Sequence, residues 1–97
     1  MNSEVPINSI VSNSELESCF EGSTSIDLVR DLLKKCQYES FVDVEDFADQ
    51  FAYSIRHFIA VSEGEEEYDI AYQNNYDWGW SIADNINALL EQKYSVK

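Results

Sequence analysis

The sequence predicts a mainly α protein, a compact bundle of four to five helices that leaves room for a small N-terminal or mid-chain β element. Three observations lead there. Apolar residues recur at helical spacing, most cleanly in Val44, Phe47, Ala48, Phe51, Ile55, Phe58 and Ile59, a stripe wide enough to bury one face of a helix. Ser or Asp residues stand just before such stretches, where helix N-termini need an acceptor. Gly22 and Gly64 fall where two of these stretches end, and glycine is the usual left-handed stop.

The chain of 97 residues is the size of a single globular domain, residues 1–97, and is long enough to bury a core without obligatory staples. Its first ten residues are polar and extended in character, with Ile7, Ile10 and Val11 available to tuck against the core. Ser12 and Glu15 have the spacing of a capping box, and Val11 with Leu16 that of a hydrophobic staple. They predict a first helix running through Cys19 and Phe20 to Gly22. A second helix is expected from Thr24 or Ser25 to about Tyr38, with Ile26, Leu28, Val29, Leu32, Leu33 and Cys36 facing inward. Asp27 in its first turn and Lys34 and Lys35 in its last suit the helix dipole.

The third helix starts after Asp43, a good N-cap with Asp46 at the reciprocal position and Val42 and Phe47 as a staple. Ending near Ser62, it spans about 28 Å. The following segment reads two ways. Tyr68, Ile70 and Tyr72 alternate as in a strand, whereas Tyr68, Tyr72, Tyr76 and Trp80 step by four as on a helix. The favoured reading is a short helix from about Glu65 to Gln73, broken near Asn74–Asn75. A last helix then carries Ile82, Ala83, Ile86, Leu89 and Leu90, capped by Ser81 with Asp84 or starting as early as Tyr76, and residues 94–97 fray.

Charge is the outlier in the composition. The formal net charge is −13, which opposes compaction through self-repulsion. It argues against direct contact with nucleic acid or an anionic membrane surface, both of which carry the same sign, and points to basic partners: a cationic protein surface, a polyamine or a metal ion. The N-terminus lacks the features of a signal peptide and the apolar runs are too short to span a bilayer. The expected location is therefore the cytoplasm. Cys19 and Cys36 are expected to be buried as small hydrophobes rather than paired.

No enzyme signature emerges. His57, the sole histidine, has no nucleophile or orienting acid signalled beside it, so it reads as a surface or boundary residue. The carboxylates Asp43, Glu45, Asp46 and Asp49 lack calcium-loop spacing, and no Cys/His pattern suits zinc. Neither catalytic residues, metal ligands nor cofactors are expected. Tyr68, Tyr72, Tyr76, Trp78 and Trp80 could stack bases, but a platform without cations would repel the backbone it must track. Most of these rings are expected at the core or its boundary, with Trp78 or Trp80 a candidate anchor for a protein partner.

Between Glu39 and Asp69 there are ten carboxylates and one base, Arg56. Helix capping accounts for two or three of them at about 0.3–1 kcal/mol each, and like charges at i, i+4, such as Glu45 with Asp49, cost a helix a few tenths of a kcal/mol. The surplus therefore points to function: carboxylates fixed along a rigid helical surface can occupy a DNA-binding channel in place of the phosphates it receives. Asp43 and Asp46 are largely explained as caps. The partner-binding candidates are Glu45 and Asp49 on the third helix and Glu63, Glu65, Glu66, Glu67 and Asp69 after it.

The opening Met1-Asn2-Ser3-Glu4 and the closing stretch from Asp77-Trp78-Gly79-Trp80-Ser81 to Lys97 resemble the phage-encoded anti-CRISPR proteins of type I-F, a likeness that covers the whole chain. The resemblance implies a non-enzymatic DNA-mimic inhibitor in the host bacterial cytosol. Its partner would be the crRNA-guided surveillance complex, bound on the basic track of the large subunit and the adjacent backbone subunit so that target DNA is blocked. It assigns no site residues. The residue chemistry fits equally an antirestriction DNA mimic or an immunity protein that neutralises a basic nuclease toxin.

Overall fold

A computed structural model describes residues 5–20, 24–63 and 65–95, with the backbone alone described for residues 56–71. The fold is the expected mainly α bundle with a small mid-chain sheet. A 3₁₀ turn, Ile7–Ser9, leads into four helices: α1 Asn13–Phe20, α2 Ile26–Cys36, α3 Val44–Glu63 and α4 Glu65–Ser95. Strands β1 Gln37–Tyr38 and β2 Phe41–Val42 pair antiparallel between α2 and α3, with Gln37 opposite Val42 and Tyr38 opposite Phe41.

The capping box at α1 forms as read. Glu15 N–H donates to Ser12 Oγ at 3.1 Å, and Ser12 N–H donates to Glu15 Oε1 at 2.9 Å. The second oxygen of Glu15 pairs with Lys93 of α4 at 2.8 Å, so one side chain both starts a helix and ties it to the C-terminal one. That pairing and the Ser12 amide hold the Glu15 carboxyl below its ordinary range. The predicted stop at Gly22 lies outside the described residues.

Helix α2 begins as expected, with Ser25 Oγ accepting from Leu28 N–H at 3.4 Å. It ends two residues earlier than the expected Tyr38. The reason is Gln37, whose side chain accepts from Ile7 N–H at 2.8 Å and donates to Val5 O at 3.0 Å and Glu39 O at 2.8 Å. Those contacts hold the chain extended and start the hairpin, which turns through Glu39 at φ 56°, a backbone region uncommon for a residue with a side chain. The outer edge of β2 is closed by Asn87 of α4: its amide accepts from Val42 N–H at 2.9 Å and donates to Val42 O at 3.0 Å. A side chain thus satisfies backbone groups that an edge strand leaves open.

Arg30 reaches from α2 to the segment before α1. Its guanidinium donates to Asn13 Oδ1 at 2.6 and 3.0 Å, to the Asn8 carbonyl and side chain at 3.2 and 3.1 Å, and to Val11 O at 3.0 Å. A fork with several N–H groups suits this divergent set, which one ammonium cannot span. Arg30→Ala is expected to destabilise the fold by about 2–3 kcal/mol, since bonds to a charged donor are worth roughly 1.5–3 kcal/mol and this group is half-buried. Arg30→Lys should recover less than half of that loss, as read from urea unfolding midpoints.

The largest departure from expectation is α4. The break at Asn74–Asn75 does not occur, and a single helix about 46 Å long runs the length of a molecule measuring 50 × 29 × 18 Å. Nor does the end fray at Tyr94, whose hydroxyl donates to Ser40 O at 2.7 Å and whose ring meets Phe41 edge-on. Two asparagines and a glycine weaken a helix by roughly 0.5–1 kcal/mol apiece, but this stretch packs along α3. Partners run in opposite order along the β2–α3 segment and α4 (Val42 with Asn87, Phe51 with Trp78, Tyr53 with Tyr72), so the helices are antiparallel. At Gly79 they are nearly in backbone contact. A Cβ there would lie 2.9 Å from Phe51 Cδ2 and 3.1 Å from Ala48 Cα. The glycine that weakens α4 locally is what lets it approach α3.

All four helices contribute to the core. Ile7, Leu16, Val29, Leu32, Leu33, Phe47, Phe51, Ile82, Ile86 and Leu90 are each essentially sealed from solvent. Ile26, Leu28, Val44 and Ile55 pack at its edge, less deeply than an inward-facing reading suggests. Cys19 and Cys36 are free and buried, and among the described residues no polar or charged side chain is fully buried. No described helix is long and apolar enough to cross a membrane.

Candidate protein-interaction surface

The start of α3 concentrates negative charge because a helix N-terminus accepts it. Asp43 caps the helix, taking Asp46 N–H on Oδ1 at 3.1 Å. The reciprocal half of the expected box is not made: Asp43 N–H donates instead to Cys36 O at 2.9 Å, which closes the hairpin onto the end of α2. Freed from that task, Asp46 is exposed beside Glu45.

One turn on, Asp49 is half-buried rather than standing on an open flank, because Tyr72 of α4 donates its hydroxyl to Asp49 Oδ1. Asp43, Glu45, Asp46 and Asp49, with the ring of Tyr76, line an open depression of about 470 Å³. Glu45 and Asp49 are one turn apart, about 6 Å along the axis. Partial burial pushes the Tyr76 phenol above its ordinary range, helped by the carboxylates of Glu45, Asp49 and Asp77.

None of these acids forms an ion pair among the described residues. The ion pairs there join Lys35 with Asp31 and Lys93 with Glu15, and Arg30 is held by the segment before α1. Nor do three or more described His, Cys, Asp or Glu side chains come together as a metal site. Every charged side chain lining the depression is thus acidic, and these acids do not group into a metal site.

The remaining sequence candidates lie further along the helical pair. Glu63 closes α3, while Glu65, Glu66, Glu67 and Asp69 belong to the opening turns of α4. The structure thus strings them along the same two helices as Glu45 and Asp49, on either side of position 64. Their side chains, like that of His57, lie outside the described residues. Burial lifts the Cys19 thiol and drives that of Cys36 up to about 12, with Asp46 and Asp43 adding to the shift. Both thiols stay protonated at neutral pH, the opposite of what a nucleophile requires.

Sequence reasoning missed how the aromatic rings join this face. Because α4 is continuous, Tyr72, Tyr76 and Trp80 form a row with centroids 6.3 and 6.0 Å apart. Tyr53 of α3 meets Tyr72 edge-on at 6.1 Å. Trp78 points the other way, onto Phe51 at 5.0 Å, so it belongs to the core and Trp80 to the surface. The spacing Glu45, Asp49, Tyr53 on α3 was a usable signal, since residues four apart share a helix face. No protein-family model, curated protein or solved structure matches this chain, so the meaning of this surface rests on its geometry and charge.

Proposed function

We propose that this protein is a non-enzymatic inhibitor that presents fixed carboxylates to a basic nucleic-acid-binding track and keeps DNA out of it. In the terms of the type I-F anti-CRISPR resemblance, the target is the crRNA-guided surveillance complex of the host, at its large subunit and adjacent backbone subunit. The observation that carries the reading is the row of carboxylates along α3, held on a rigid helical pair without a neutralising base among the described residues. Folding accounts for only part of that charge: Asp43 makes the cap bond and Asp49 accepts the Tyr72 hydroxyl, while Glu45 and Asp46 stand exposed in the first turn. A basic groove built for phosphates attracts such a surface from a distance and binds it without any bond to cleave.

The test is competition on a purified type I-F surveillance complex. The protein should exclude target duplex and lose affinity as salt rises, because the contacts it replaces are those of a polyanion. Duplex and protein binding the complex together would overturn the proposal. Parallel assays with a type I restriction enzyme and a basic nuclease toxin distinguish the antirestriction and immunity alternatives.

A further inference from the structure

We infer that the aromatic row on α4, with Tyr53 beside it, is a seat for arginine side chains of a protein partner, and that it gives this face a preference for arginine over lysine. The inference rests on the reading that the partner is basic and adds which cation it presents. Large rings remain open to solvent where the carboxylates are: Tyr53 is 53 % exposed and Trp80 41 % exposed, while Tyr76 lines the acidic depression. Tyr72, Tyr76 and Trp80 repeat at about one helical turn. Beside them stand Glu45, Asp49 and Asp77, close enough to act on the Tyr76 phenol.

That combination selects its occupant. An apolar segment laid over the rings would bury carboxylates with nothing to pair them, which is costly. A nucleic acid would stack on the rings but meet like charge along its backbone. A second copy of this chain would set acid against acid at a net charge of −13 each. A guanidinium satisfies both halves: its planar face stacks on Tyr or Trp and its edge pairs with carboxylate. Lysine meets the charge as well, but its ammonium is more strongly hydrated and lacks a planar face. The ring spacing of about 6 Å matches cations four residues apart on a partner helix.

The experiment titrates the full-length protein with two peptides identical except that one carries arginine and the other lysine at every fourth position, in 0.15 M salt. The wild type should bind the arginine peptide about five- to thirtyfold more tightly, as expected for two ring contacts. Tyr76→Leu with Trp80→Leu should erase the preference while retaining salt-dependent binding of both peptides. Tyr53→Leu, at the more exposed ring, should reduce the preference and serves if the double variant fails to fold. Equal affinity for the two peptides, binding of neither, or a preference that survives loss of the rings would each overturn the inference. Equal affinity would leave the basic-partner reading standing, since that reading falls only if duplex and protein bind the complex together.

Discussion

Phe51→Ala is expected to destabilise the protein by about 3–5 kcal/mol, the range for deleting a fully buried phenylalanine. Phe51 has no solvent exposure. It stacks on Phe47 with centroids 6.2 Å apart, meets Trp78 edge-on at 5.0 Å and lies against the Gly79 backbone. The hole left behind cannot readily close, because the helices already touch at Ala48 and Gly79 and have no slack to collapse further. A domain of this size has a total stability of roughly 5–15 kcal/mol, so the loss is a large share, with a fall in melting temperature of roughly 15–30 °C. Calorimetry of the variant checks this. Tyr53→Ala, two residues on and roughly on the opposite face of α3, is the control and should cost less than about 1 kcal/mol. Similar losses at both positions would mean that the α3–α4 contact is not the centre of the core.

What could be read in the sequence divides by range. The Ser12–Glu15 box and the Ser25 and Asp43 caps are local, three residues wide, and each forms. Helix existence followed from the periodicity of α2 and α3 for the same reason. The hairpin was hidden because two-residue strands are too short to show alternation, and because Gln37 and Asn87 complete it from across the chain. The expected break in α4 failed through a competition that local propensity cannot weigh: Asn74, Asn75 and Gly79 disfavour helix, but burying the α3-facing side outweighs them. That error carried into the site. Once the helix is continuous, Tyr72, Tyr76 and Trp80 fall on one line beside Asp49; cut at Asn74–Asn75, they belong to separate elements. The carboxylates were legible as a surplus; their sharing of one surface with aromatic rings was signalled on α3 alone, by the spacing Glu45, Asp49, Tyr53, and otherwise needed a continuous α4.

The second large effect concerns association rate. Reversing Glu63, Glu65, Glu66 and Asp69 to lysine removes about eight units of negative charge around the α3–α4 junction, against a total of −13. Steered association can exceed the unsteered rate by roughly 10–10³ at low salt. If the surveillance complex is the partner, as proposed, the quadruple variant should therefore bind it about 10- to 100-fold more slowly, with a much smaller change in dissociation rate. Glu65 and Glu66 also favour the N-terminus of α4, by about 0.3–1 kcal/mol each, so the variant's helicity and melting temperature must be measured alongside. Near 1 M salt, where the Debye length falls to about 3 Å, the wild type and variant rates should converge. Neutralising Glu45 and Asp77 to Gln and Asn supplies the contrast, because these acids lie beside the aromatic row rather than at the junction. If the junction reversal leaves the rate unchanged while this neutralisation lowers it, the partner docks at the start of α3, and the junction acids serve solubility instead. A drop confined to the junction variant places the first encounter there. Equal drops would mean that the partner feels the summed field of both regions, as a long basic groove would.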